Sequence, residues 1–189
     1  MEFFTDPKTY YNALVSVVIG ILTGVLASYI FLKYFLQTLK PSIEISNYIC
    51  KTKREGQTLY IFKFINKTKY ELFDVTLDLS SYKTIGAFGG QNLRITKINL
   101  KQSKISSIPT YNPKNDKHHT YAAIISTEEN LNDFFKKSYN QSDYLKLTVI
   151  AKHSLSGLNK VFTQDFHASH CIKNKNFAFG DSLELINSK

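Results

Sequence analysis

The sequence predicts a mainly β protein: a single N-terminal transmembrane helix, then a β-sandwich or barrel-like domain with one short helix. Three observations carry this prediction. Residues 13–32 form 20 consecutive positions without a charge, and a helix of that length covers about 30 Å, the thickness of a bilayer core. Beyond Pro41 the apolar residues change to alternation, the period of half-buried strands. The length, 189 residues, suits one domain plus an appendage.

The chain divides into an N-terminal flank (1–12), the transmembrane helix (13–36), a linker (37–41) and the β domain (42–189). The start, "MEFFTDPK", sets Glu2 and Asp6 against Lys8. It lacks the basic start of a signal peptide, and the apolar run is longer than a signal core, so the helix reads as permanent. Lys33, Lys40, Lys51, Lys53 and Arg54 follow the helix and Lys8 alone precedes it. The positive-inside rule then predicts a single-pass protein of the inner (cytoplasmic) membrane with its C-terminal domain in the cytoplasm. Tyr10, Tyr11, Tyr34 and Phe35 fall where interfacial aromatics anchor a span. Cys50 and Cys171 would stay thiols in that compartment.

Within the span, "SVVIGILTGVLAS" places Ser16, Gly20, Gly24 and Ser28 in i, i+4 register. Such a ridge lets helix backbones approach closely in lipid, and Ser adds an interhelical hydrogen bond. A lone span has no partner in its own chain, so the ridge predicts a homo-oligomer.

Pro41 ends the helical region, because its ring cannot continue a helix. "SIEISNYI" alternates, "TLYIFKFI" is a denser strand suited to burial on both faces, and "NKTKYE" is a polar loop. "FDVTLDLS" points Val75, Leu77 and Leu79 inward. "GAFGGQ" is a flexible break, followed by short strands in "NLRITKINL" and "KISSI". "PTYNPKNDKHH" is an exposed loop and "TYAAII" a strand. Ser126 and Glu129 have the spacing of a capping box for a helix in "STEENLNDFFKKSY", with acids first and Lys136 and Lys137 last, as the helix dipole prefers. "DYLKLTVIAKH" and "NKVFTQDFHA" are strands joined through Gly157, and "NFAFGDSLELI" closes the chain with alternation.

Residues 41–189 hold 21 of the 24 Lys and Arg and 13 of the 15 Asp and Glu. That basic excess points to an anionic partner (nucleotide, nucleic acid or lipid headgroup), or to no more than a lysine-rich solubilising surface. Enzyme signatures are missing: no phosphate loop before a Lys, no nucleophile elbow, no paired acids. Catalysis and a cofactor are not predicted. "FHASHC" brings His167, His170 and Cys171 together, with His153 or Cys50 as further ligands. The spacing is loose and has no second paired motif, so no metal site is assigned. The candidate ligand-binding residues are Lys114, Lys117, His118 and His119 of "KNDKHH", with Lys136, Lys137 and Arg94. Histidine donates to phosphate and stacks on bases, and Arg suits bidentate phosphate contact. Arg94 lies between Leu93 and Ile95, which predicts that it faces outward.

"NKTKYELFDVTLDL" and "AKHSLSGLNKVFTQDF" are similar to the β domains of small bacterial inner-membrane proteins, some of which carry ion-channel segments. This likeness covers most of residues 42–186 and consists of turns and strand pairs. In layout, size and basic charge the chain also resembles membrane effectors of anti-phage defence, in type III CRISPR and related cyclic-oligonucleotide systems. These join an N-terminal membrane segment to a small cytoplasmic domain that binds a cyclic nucleotide messenger. The resemblance implies a sensor-effector: a basic β domain binds an anionic ligand such as a cyclic oligonucleotide, and oligomerised helices perturb the membrane. Membrane lipid and a second copy are then the partners, and duplex nucleic acid is not. The alternative is a membrane-tethered protein-docking or channel-accessory module without a nucleotide ligand.

Overall fold

Pro7 opens helix α1 (Pro7–Thr38); in the first turn its missing N–H costs nothing. The computed structural model describes residues 7–87, 89–136, 143–167 and 169–187, in two units, Met1–Leu39 and Lys40–Lys189. The stretch Lys8–Phe35 of α1 has a mean hydropathy of 2.3 and none of it is buried. It is long and apolar enough to cross a membrane. The helix begins earlier than the predicted span because no breaker separates Pro7 from Ala13. Thr23 Oγ donates to the Ile19 carbonyl at 2.8 Å, so its hydroxyl is satisfied within the helix and needs no water.

The second unit is built of strands. In chain order they are β1 (Ile43–Ile45), β2 (Ile49–Arg54), β3 (Gln57–Asn66), β4 (Leu72–Ala87), β5 (Gly90–Ile98) and β6 (Lys104–Ile108). Then come β7 (Ala122–Thr127), helix α2 (Leu131–Lys136), β8 (Tyr144–His153) and β9 (Asn159–Phe166). A 3-10 turn, Ser169–Cys171, leads to β10 (Ile172–Lys173), β11 (Lys175–Phe177) and β12 (Leu185–Asn187).

The first sheet runs β1-β3-β2-β10 with β7 also on β3, and the second runs β5-β4-β8-β9 with β6 also on β4. β11 and β12 form a separate hairpin. All described pairings are antiparallel except β10 on β2, where Ile172 lies beside Ile49. Glu55 (φ 51°) and Gly56 (φ 79°) make the β2–β3 turn. Two positive-φ residues match the right-handed twist of a tight hairpin.

Alternation explains the core. Val75, Leu77 and Leu79 are buried as predicted, facing Leu145, Leu147 and Val149 of the same sheet and Phe62, Phe64 and Ile125 of the other. Phe62 meets Phe166 edge to face at 5.7 Å. Two sheets share one core and no ladder joins them among the described residues. That is a sandwich rather than a closed barrel.

Two local expectations change. The capping box is not used: Ser126 lies in β7, and the Glu129 carboxylate accepts the Asn99 N–H at 2.8 Å. Asn130 starts α2 instead, its carbonyl accepting Asp133 N–H at 3.2 Å and its amide donating to the Asp133 carboxylate at 2.8 Å. The "GAFGGQ" break is a hairpin turn, since β4 continues to Ala87 and β5 starts at Gly90; Gly89 supplies the positive φ.

Candidate ligand groove

The middle of β3 carries a lysine where a core residue is expected. Lys63 is 2% exposed. Its ammonium donates to the carbonyls of Ala178 (2.7 Å), Gly180 (2.7 Å) and Ser182 (2.8 Å). Three donors meet three acceptors, so the charge is fully hydrogen-bonded although buried. Burial still pushes the Lys63 pKa down, with Asp181 and Cys50 pulling the other way. The lysine pins the segment between β11 and β12 against the sheet.

That pin creates a groove of about 250 Å³ beside β7, lined by His118, His119, Ile124, Phe177, Phe179 and Ile186. It is close to the lower size of ligand clefts. The loop before β7 forms one wall and owes its shape to Asp116. This carboxylate accepts the His118 N–H at 3.0 Å, and the Thr120 N–H and hydroxyl at 2.7 Å each. The Thr120 hydroxyl is the first cause holding the Asp116 pKa below its ordinary value, with the backbone N–H groups adding to it against desolvation.

His119 is a wall residue rather than a free donor. Its Nδ1 meets the Tyr121 hydroxyl, and its ring stands edge-on to Phe179 at 5.0 Å. Gly180 (φ +86°) packs against that ring so closely that a Cβ there would lie 3.1 Å from His119 Nε2. Lys114, Lys117 and His118 are exposed on the loop before β7, and of these His118 lines the groove. Phe179 is 77% exposed, so much of its ring is open to a ligand.

The structure divides the predicted cations. His118 and His119 line the groove, and Lys114 and Lys117 are exposed earlier on the same loop. Lys136 lines a separate polar depression with Lys51, Tyr60 and Asp133. The loop precedes β7 and α2 follows it, and this six-residue strand separates them by about 20 Å. Arg94 belongs to the α2 end: it pairs across the hairpin with Lys83, whose ammonium lies 4.9 Å from the Phe134 ring. Arg94 is exposed as expected, but its neighbours Leu93 and Ile95 are exposed too, at 51% and 58%. Lys137 lies outside the described residues.

The histidine and cysteine candidates are dispersed. His153 is buried at the end of β8, its Nδ1 accepting the N–H groups of Leu155 (3.2 Å) and Ser156 (3.3 Å). His167 lies on the Tyr144 ring at 5.2 Å. Cys50 and Cys171 are free thiols, and burial raises the Cys50 pKa to about 12. Among the described residues no group of three His, Cys, Asp or Glu is placed to hold a metal ion.

Sequence reasoning missed Lys63, Phe177 and Phe179. The aromatics had a signal, "NFAFGD", which reads equally as a strand. Lys63 had none, because its acceptors are main-chain carbonyls. In α1, Ser16, Gly20, Gly24 and Ser28 are all exposed, and a Cβ at either glycine would meet nothing within 4 Å.

No protein-family model and no curated protein matches the chain. Among solved structures it is similar to Spo0M, a sporulation control protein from Bacillus subtilis, at 9% identity and a TM-score of 0.36. The match takes in 68% of this chain and about half, 48%, of that one; a likeness this distant carries no argument about function.

Proposed function

We propose that the protein is a membrane-anchored binding module whose basic β-sandwich takes an anionic, ring-bearing ligand in the groove beside β7, a nucleotide being the class that fits. The observation that carries this reading is the groove lined by His118, His119 and a Phe179 that is 77% exposed, on whose histidine-bearing loop Lys114 and Lys117 are also exposed. A base stacks on Phe179 and phosphates take the cations of that loop. No catalytic step is assigned. The shared layout with anti-phage effectors favours a cyclic oligonucleotide as ligand, with the domain in the cytoplasm and α1 in the inner membrane. Binding then shifts a population of α1 assemblies packed through Ser16, Gly20, Gly24 and Ser28, which requires the ligand to prefer one arrangement.

The test is thermal unfolding of the full chain in nanodiscs against linear and cyclic oligonucleotides. A ligand at about one hundred times its Kd adds about 2.7 kcal/mol, which raises Tm by several degrees. A shift for one species, lost in Phe179→Ala, supports the reading; no shift for any species overturns it.

A second reading has its own observation. Among the described residues β7 ladders with β3 alone, apart from Ser126, whose carbonyl accepts Lys101 N–H. Its Ile124 is 59% exposed on the same groove. An extended protein segment could add to that edge. Capture of a partner that Ile124→Glu abolishes, without any nucleotide response, would favour it.

A further inference from the structure

Among the described residues the β4–β5 hairpin runs past the rest of its sheet. There β8 pairs with β4 as far as Tyr82, opposite Tyr144, whereas the β4–β5 ladder continues through Lys83–Arg94, Thr84–Leu93 and Ile85–Asn92 to Ala87–Gly90. The Asp143 carboxylate takes the Thr84 N–H at 2.9 Å, just before the first residue of β8. Beyond that point lies an arm. Its sequence from Thr84 to Leu93 contains no charge, and Ile85 and Leu93, 43% and 51% exposed, stand on its two opposite faces.

One rung inward, Lys83 and Arg94 face each other directly. Like charges opposed across a strand pair are destabilising, and among the described residues neither makes a salt bridge. Lys97, further inside the sheet opposite Ser80, is by contrast paired with Asp78 at 3.4 Å. Phe134 offers Lys83 only its ring. An uncharged, partly apolar tip behind an unneutralised cationic collar matches the layering of an anionic bilayer surface, where phosphates lie above acyl chains. The same chain carries a helix fit to cross such a bilayer.

We propose that the β4–β5 arm is a second membrane contact: its tip enters the interface and Lys83 and Arg94 bind anionic lipid phosphates. The contact is independent of the groove ligand. It would hold the β domain in a fixed orientation toward the bilayer and leave Lys114, Lys117 and His118 to the ligand.

The test uses the full chain in nanodiscs, carrying Gln91→Cys with a polarity-sensitive fluorophore and Cys171→Ser; Cys50 is buried and needs no change. Discs contain phosphatidylcholine alone or mixed with phosphatidylglycerol. The expected result is a blue shift, with quenching by lipids that carry a quencher on the acyl chain, in the anionic discs only. High salt and the pair Lys83→Gln, Arg94→Gln should both remove it, while the oligonucleotide response stays unchanged and Tm does not fall, since the variant relieves a like-charge pair. A label that remains in water in both discs overturns the proposal. So does a shift equal in both discs and indifferent to the charge variants, which would mark a contact with a second copy.

Discussion

The Lys63 ammonium bonds the Gly180 carbonyl at 2.7 Å across 117 positions of chain. Together with its bonds to Ala178 and Ser182, this makes a single side chain the fastener of the groove's C-terminal wall. Replacing it with Met keeps the apolar stem and removes the charge. Hydrogen bonds to a charged group contribute about 1.5–3 kcal/mol each, and the freed carbonyls regain water. The expected net loss for Lys63→Met is about 2–3 kcal/mol, a fall in Tm of about 5–10 °C for a domain of this size. Hydrogen exchange should show the amides near Gly180 losing protection while those of β8 keep theirs.

Gly180→Ala tests the close approach to His119. The added Cβ meets the ring at 3.1 Å and the residue must hold φ +86°. Left-handed backbone costs a non-glycine residue about 1–2 kcal/mol, and the ring must also move. Gly157→Ala shares the strain (φ +68°) but meets only the flexible end of Lys152, at 3.8 Å. Thermal unfolding should therefore rank Gly180→Ala below Gly157→Ala, and only the former should weaken ligand binding.

Phe179→Ala should leave Tm unchanged within a degree or so, because the ring is mostly in water. Stacking of one base contributes about 1–3 kcal/mol, so nucleotide affinity should fall roughly 5- to 150-fold in a titration. An unchanged affinity would remove Phe179 from the site. Lys114→Gln with Lys117→Gln should weaken binding most at low salt, since exposed charges are screened.

Acid stability should reveal His153. Its Nδ1 accepts two backbone N–H groups, so the proton of the neutral ring sits on Nε2, which has no partner among the described residues. Burial lowers its pKa from 6.5. Below pH 6.5 the unfolded chain binds a proton that the folded chain resists. This contribution is therefore full above pH 6.5 and declines as pH falls toward the folded pKa. Asp116, whose pKa is also lowered, acts in a separate window: its contribution is present above its unfolded pKa and lost as pH falls through the folded one. Urea midpoints measured from pH 7 to 5 should fall for the native chain and flatten in His153→Gln.

Gly20→Leu with Gly24→Leu should leave α1 inserted, because both positions face open space within the chain. Energy transfer between labelled copies in bilayers should drop if the ridge packs helices, while oligonucleotide binding by the β domain stays. Transfer equal to that of the native chain would remove the ridge from the assembly.

The sandwich was legible wherever a pattern is local. Alternation placed Leu77 and Leu79, and an uncharged run placed α1. The helix cap was misread because Glu129, at the right spacing for Ser126, bonds Asn99 from another strand. Arg94 was read correctly as exposed from a wrong premise: its apolar neighbours Leu93 and Ile95 are not buried, because they lie on β5, the edge strand of its sheet. His118 and His119 were named as ligand residues from their loop alone, and they line the groove. Arg94 and Lys136 were grouped with them although "TYAAII" read as a strand between the loop and α2, because a local pattern does not show which end of the sheet a charge belongs to. Lys63 was out of reach, since nothing near it announces acceptors supplied from the far end of the chain.

Pairing β10 with β2 also sets a timetable. A ribosome adding about 5–20 residues per second delivers Ile172 roughly 6–25 s after Ile49. Through that interval the first sheet has an open edge at β2, while α1 has long since emerged. Completion of the first sheet thus waits until β3 to β9 have been made, and parallel pairing over so long a loop is intrinsically slow. A chain cut short before β10 would carry that unpaired edge permanently, and such edges template association between chains.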